Sequence, residues 1–219
     1  MQKLLHIDRL PQAIEATWPA TTTDWRFVLP LLAGSRVTLR EVTASDATSL
    51  LTMVGREEMA RFVAPLAPTT DGVEAFAARA QRERQSGRSA CFAVVPTGCN
   101  QAVGLIHLRQ LDVGSGSAEW QFAISPRFWG TGVFQEAANL AIGFAFGSTG
   151  VHRLEARAAV LNGRGNGALR KLGAAQEGVL RKSLSYRGQF VDQILWAIVE
   201  DDWRAYRGDA QLERTPHIH

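Results

Sequence analysis

Two hydrophobic periods organise the chain. Alternation of apolar and polar positions in Arg36-Val37-Thr38-Leu39-Arg40 predicts a first strand. A helix follows over Ala47 to Met53, with Ser45 and Asp46 as candidate caps. A second helix runs from the Thr69-Thr70-Asp71 cap to Gln85 and ends at Gly87. Two strands, Ala90 to Val95 and Ala102 to Leu111, are joined as a hairpin by Pro96-Thr97-Gly98-Cys99-Asn100. A loop over Val113 to Ser117 leads to a third strand, Ala118 to Ile124. After Pro126 the period changes from two to about 3.6, so Val133 to Phe146 reads as a helix. His152 to Leu161 is a strand, and Gly167 to Leu172 a short helix closed by Gly173. Two more strands flank the Arg187-Gly188 turn before Trp203. The order β-α-α-β-β-β-α-β-α-β-β is that of an α/β domain with a mixed sheet.

Residues 1–34 carry Pro11, Pro19 and Pro30, a Thr21-Thr22-Thr23 run and the isolated Trp18 and Trp25. Proline spacing forbids one long helix here. The segment reads as an N-terminal arm, packed on the body or on a second subunit. Residues 35–204 form the domain, and 205–219 a loose C-terminal tail.

Composition narrows the class. With 219 residues, 46% hydrophobic and 21% charged, the chain supports one sizeable core and is neither fibrous nor disordered. No apolar stretch is long and unbroken enough to span a bilayer. His6, Asp8 and Arg9 stand where a signal peptide needs an apolar run. Cys91 lies in an apolar run and Cys99 in a turn, too few for a disulfide framework or a zinc site. We expect reduced thiols, a cytoplasmic location and no metal site; His217 and His219 belong to the tail. The net charge of +3 is spread along the chain, which argues against a nucleic-acid or membrane partner.

The chemistry concentrates in Ile124-Ser125-Pro126-Arg127-Phe128-Trp129-Gly130-Thr131-Gly132-Val133. A strand ends, a proline turns the chain, and two glycines precede a helix. Gly130 and Gly132 let backbone approach a ligand, and the free N–H groups and dipole of a first helical turn favour a phosphate. By itself the pattern is equally a structural cap. No GxxxxGK[ST] run exists. Gly163-Arg164-Gly165-Asn166-Gly167-Ala168 fits the dinucleotide fingerprint GxGxxA, but it falls late in the chain and no second βαβ unit follows.

With these motifs the sequence resembles the GNAT superfamily of acyl-CoA-dependent N-acetyltransferases, in its RimJ/RimL-like branch. The branch pattern is matched in register from Ala118-Glu119-Trp120 through Ile124, Pro126 and Phe128-Trp129-Gly130-Thr131-Gly132 to Glu136-Ala137. A second block appears as His152-Arg153-Leu154-Glu155-Ala156-Arg157, Asn162 and Leu172-Gly173. The family's tail returns in Glu177-Gly178, Gly188-Gln189-Phe190-Val191-Asp192 and Glu200-Asp201-Asp202-Trp203. The resemblance covers about residues 35–204.

The resemblance implies a mixed, mostly antiparallel central sheet flanked by helices, and acetyl transfer from acetyl-CoA to an amine. The strand Glu119–Ile124 is then expected to splay from its neighbour. Its backbone groups, at Phe122 and Ile124 among others, would hold the pantetheine arm and polarise the thioester. Gly130, Thr131, Gly132 and Val133 would cradle the diphosphate, flanked by Arg127 and Trp129. Glu119 is the implied base and Asn162 a cofactor or water ligand. Three departures stand out: Phe134 replaces a small residue, Gly165 a frequent serine, and Leu169 a tyrosine that many members use to protonate the thiolate. With Ser183, Ser185 and Tyr186 only nearby, no general acid is assigned. His107 and His152 read as packing residues. Glu57, Glu58, Asp71 and Glu74 read as surface charge, with attraction of a cationic amine as the alternative. The acceptor amine and a homodimer stay open. The competing readings are an acyl-CoA-binding module with weak or no turnover and, more remotely, a dinucleotide-dependent oxidoreductase.

Overall fold

The computed structural model describes residues 24–54, 69–112, 114–186 and 188–212. The readings made on Pro11, Trp18, Pro19, Thr21 to Thr23, Glu57, Glu58, Arg187, His217 and His219 lie outside these residues. The described strands are β1 (Leu32–Ala33), β2 (Val37–Glu41), β3 (Ser89–Pro96), β4 (Gly104–Gln110), β5 (Ser117–Ile124), β6 (Arg153–Ala159), β7 (Ala175–Tyr186) and β8 (Gln189–Val199). The described helices are α1 (Ala47–Val54), α2 (Thr70–Gln85), α3 (Val133–Ser148), α4 (Gly163–Lys171) and α5 (Glu200–Leu212). All eight strands form one sheet in the order β1-β2-β3-β4-β5-β6-β8-β7. Every pairing is antiparallel except β5 with β6. Parallel neighbours need a crossover, and α3 supplies it.

Alternation along each strand divides the core between the two faces of the sheet. On one face Leu39, Phe92, Ile106, Trp120, Leu154 and Trp196 pack with Ala137, Ala141, Ile142 and Phe144 of α3 and Leu169 of α4. On the other, Cys91, Ala93, Leu105 and Ala123 pack with Leu50 of α1 and Val73 and Ala77 of α2. The small residues of α3 bring its axis close to the sheet, where Phe144 meets Phe92 edge-on at 5.1 Å. Burial of Cys91 pushes its thiol up to about 12, so it is an inert core residue.

Several local expectations shift. A 3₁₀ turn over Ala44–Asp46 precedes α1, with Thr43 rather than Ser45 at its cap. Asp46 closes this turn by accepting from the Thr43 amide at 3.0 Å. Thr69 caps α2 as expected, accepting from the Gly72 amide at 3.1 Å. Helix α4 starts at Gly163, not Gly167, and the chain expected to loosen after Trp203 continues as α5 to Leu212. Within residues 24–34, the Trp25 ring lies 6.0 Å from Phe144. Arg84 of α2 donates to Glu41 at 2.6 Å and to the Arg26 carbonyl, which holds this segment on the body.

Glu136, in the first turn of α3, accepts from the Ser35 amide at 2.9 Å, the Ser35 hydroxyl at 2.7 Å and the Arg36 amide at 2.6 Å. Burial raises its pKa, but these donors and the nearby Arg36 charge outweigh burial and hold it below the ordinary carboxylate value. The carboxylate straps the β1–β2 turn to the helix that begins beside the glycine-rich loop. A group with a depressed folded pKa stabilises the fold above its unfolded pKa and loses that contribution as pH falls through the folded value. Glu136→Gln should therefore cost roughly 1–3 kcal/mol near neutrality, read as a lower Tm. The difference should close as pH falls below about 4. A Tm equal to wild type at pH 7 would contradict the strap.

Candidate functional site

The sheet opens at its one parallel junction. Strands β5 and β6 pair only at Ser117 with Arg153, Ala118 with Leu154 and Glu119 with Glu155. Beyond that point β5 follows β4 as far as Ile124 opposite Gly104, and β6 follows β8 as far as Ala159 opposite Gln193. Gly104 permits the tight approach on the β4 side: a Cβ there would stand 2.5 Å from the Ala123 carbonyl oxygen. From Trp120 through Ile124, β5 has no ladder partner on β6, so alternate backbone N–H and C=O groups face the gap.

The loop after β5 leads into the mouth of this gap. Pro126–Phe128 form a 3₁₀ turn, and Thr131 donates its hydroxyl to the Phe128 carbonyl at 2.7 Å. Gly130 and Gly132 have φ of 75° and 85°, in the left-handed region that favours glycine. Gly132 is the N-cap of α3 and brings no side chain to accept from the first turn. Val133 donates to the Thr131 hydroxyl, but at 3.4 Å. A Cβ at Gly130 would meet no atom within 4 Å, so the backbone there borders open space. The result is a helix N-terminus with unsaturated donors and a positive dipole end.

Cations surround this loop. Arg36, from β2's threshold, donates Nη1 to the Thr131 carbonyl at 3.3 Å. Arg127 is exposed and makes no hydrogen bond or ion pair among the described residues. Trp129 donates Nε1 to the Ile124 carbonyl at 3.0 Å, and Arg164 of α4 lies over its ring at 4.7 Å. Phe134 turns onto the sheet: its ring is 4.6 Å from Phe122, which in turn is 4.9 Å from Trp120. This row of rings closes the α3 face of β5 and leaves the loop amides clear of the Phe134 side chain.

Glu119 occupies the pivot where the strands part. It is 8% exposed; Arg109 donates to its Oε2 at 2.6 Å, and Arg157 stands 3.8 Å from Oε1. Both arginines were missed in the sequence because their proximity depends on strand register. Arg109 is the cross-strand partner of Glu119, and Arg157 lies two residues past Glu155 on the parallel partner. His107, opposite Gln121, shares this face. Burial lowers its pKa, which favours the neutral ring, and its Nε2 has no hydrogen-bond partner among the described residues.

The β6–α4 connection forms the other wall. Asn162 caps α4, its Oδ1 accepting from the Gly165 amide at 2.9 Å. A Cβ at Gly165 would stand 2.5 Å from the Asn162 amide nitrogen, so glycine suits this cap arrangement where a serine is frequent in the family pattern. Asn166 accepts from Trp196 Nε1 at 2.9 Å and donates to the Ala159 carbonyl at 3.0 Å. Leu169 is 1% exposed and belongs to the core. The glycine run of 163–167 thus lies inside a helix rather than in a turn ahead of one, and β6's neighbour on that side, β8, is antiparallel. A dinucleotide-binding half needs the opposite on both counts. Ser183 donates to the Leu180 carbonyl at 2.9 Å within the β7–β8 hairpin.

Known proteins resemble this chain in sequence and share its fold. A family model described as Acetyltransferase (GNAT) domain matches residues 36–175. The Bacillus subtilis protein named uncharacterized N-acetyltransferase YoaA is 24% identical over 178 residues, covering 79% of this chain and 98% of that protein. The structure of Mycobacterium smegmatis RimJ in complex with CoA-disulfide superposes with a TM-score of 0.72 at 22% identity, covering 83% of this chain and 91% of that one. The ribosomal-protein-S5-alanine acetyltransferase of Vibrio fischeri gives a TM-score of 0.71 at 20% identity, covering 80% and 98%. The two solved structures are likenesses of fold.

Asn166 bridges the β6 end, α4 and β8 from a position that is 6% exposed. Asn166→Ala leaves the buried Trp196 indole N–H without its acceptor and removes a bond to the Ala159 carbonyl, and should cost about 1–3 kcal/mol. Thermal unfolding measures this, and an unchanged Tm would show that the bridge is dispensable.

Proposed function

The chain belongs to the GNAT acetyltransferase family, and on that premise we propose that it transfers an acetyl group from acetyl-CoA to a primary amine. The acceptor is a protein N-terminus or a small-molecule amine. One observation carries the reading: β5 and β6 part beside a helix N-terminus capped by a glycine with no side-chain acceptor. A gap with free backbone donors and acceptors suits the amide-rich pantetheine arm. The adjoining amides of Gly130, Thr131, Gly132 and Val133 suit a diphosphate. Arg127 and Trp129 flank that position, and Arg36 adds a further cation. Asn162 lies at the far wall, where its amide group contributes to the cofactor side or holds a water.

In this reading the backbone of β5 around Phe122 and Ile124 polarises the thioester carbonyl. The amine must lose a proton as its nitrogen bonds to the carbonyl carbon and the carbon–sulfur bond breaks. An α-amine, with a pKa near 8, is more readily neutral than a lysine, near 10.4. Glu119 takes that proton, directly or through a water. The row Trp120–Phe122–Phe134 fills the α3 face, so the amine approaches from the face that carries Glu119, His107 and Gln121. Leu169 offers no hydroxyl, and a thiol with a pKa of about 8.5 leaves readily with a proton from solvent. The chain acts in the cytoplasm in this reading.

A second reading has a specific observation behind it. Both Glu119 oxygens face arginines and the tyrosine position is a core leucine, which fits an acyl-CoA-binding module with little turnover. Free-thiol release from acetyl-CoA across a panel of peptides and small amines separates the two. Binding of acetyl-CoA without amine-dependent release favours the module.

Glu119→Gln should lower kcat/KM about 10²-fold at pH 7. The deficit should widen toward lower pH, where less amine is already neutral, and shrink toward higher pH. A pH–rate profile identical to wild type removes Glu119 as the base. Gly132→Val places a branched side chain at a φ of 85° beside the proposed diphosphate site. It should raise the KM for acetyl-CoA by about tenfold or more, and an unaltered KM counts against the loop assignment.

A further inference from the structure

The glycine run after β6 carries one cation that the acetyl-transfer reading leaves without a task. Arg164 lies exposed in the first turn of α4, with its guanidinium carbon 4.7 Å from the Trp129 ring centroid. The two residues come from opposite walls: Trp129 ends the turn after β5, and Arg164 follows β6. They meet across the mouth where those strands have parted. The ring is itself anchored, since Nε1 donates to the Ile124 carbonyl at the end of β5. Among the described residues no carboxylate forms an ion pair with Arg164. A guanidinium over an aromatic face is held in place by its charge and still has N–H donors to offer a phosphate. Beside Trp129, Gly130 borders open space.

We propose that Arg164 is a phosphate-binding residue, held by Trp129, that donates to a phosphate group of the acyl-CoA and closes the crevice from the β6 side. This rests on the acetyl-CoA reading and extends it to a residue on the second wall. The alternative role, an exposed cation–π contact that only steadies the α4 terminus, predicts no dependence of ligand affinity on the charge.

Calorimetric titration of CoA into the full-length wild type, Arg164→Gln and Arg164→Lys, repeated at low and high salt, tests it. Arg164→Gln should weaken CoA binding about tenfold at low salt. The deficit should narrow as salt screens the lost charge, and Arg164→Lys should recover part of the affinity. Each variant's thermal unfolding is recorded alongside, and a Tm close to wild type assigns the loss to the ligand contact. Wild-type affinity in Arg164→Gln overturns the proposal. So does a loss that is equal at all salt concentrations and not relieved by lysine. Absence of CoA binding by the wild type itself overturns the acetyl-CoA reading instead, a distinct result.

Discussion

Everything in this molecule depends on a limit of backbone hydrogen bonding. A strand has two edges, and β5 and β6 each commit one edge along their length to an antiparallel neighbour. They share only three pairs, Ser117 to Glu119 with Arg153 to Glu155, before each follows its own half-sheet. Past those three pairs neither strand has a ladder partner across the gap, a condition a closed sheet would not tolerate. The crossover that makes this junction parallel also delivers the N-terminus of α3 to the open end. One topological fact therefore places backbone donors along the gap and helix-terminal donors at its mouth.

The two faces around the gap then take different characters. On the α3 side, Trp120, Phe122 and Phe134 stack and shut the space with apolar surface. On the opposite side, Glu119 is buried beside arginines, and burial lowers the pKa of His107. Local contacts pin the loop between. Gly132 sits at a φ of 85°, Trp129 is tied to Ile124, and Glu136 binds the turn between β1 and β2. The proposed transfer of an acetyl group from a phosphorylated carrier to an amine would use this asymmetry, with helix-terminal amides at one end and a buried carboxylate at the other.

Much of this was legible from the residues alone, and the failures have identifiable causes. The hairpin of β3 and β4, strand β5 and helix α3 declare themselves by period, because each buries one face or stripe against a single core. The start of α4 was missed because three glycines in five residues outweigh a weak helical pattern. The local Asn162 cap and the tertiary Asn166–Trp196 bond offset that cost. Helix α5 was not foreseen and its residues from 205 on were read as a tail, although Glu200, Asp201 and Asp202 suit the positive end of a helix dipole. Phe134, a departure from the family pattern, places its ring against Phe122.

The order of residues determined the element types, the glycines where positive φ is required and the chemistry on offer between Glu119 and Val133. Those are matters of local sterics and periodicity, carried by neighbours in the chain. Which groups meet was decided only by the tertiary structure. Glu119 with Arg109 and Arg157, Glu136 with Ser35, and Arg164 with Trp129 are from 10 to 101 residues apart in sequence. Their meeting depends on register, strand order and the direction of a crossover. A one-residue slip in register would turn each strand side chain to the other face, so no local pattern specifies such pairs.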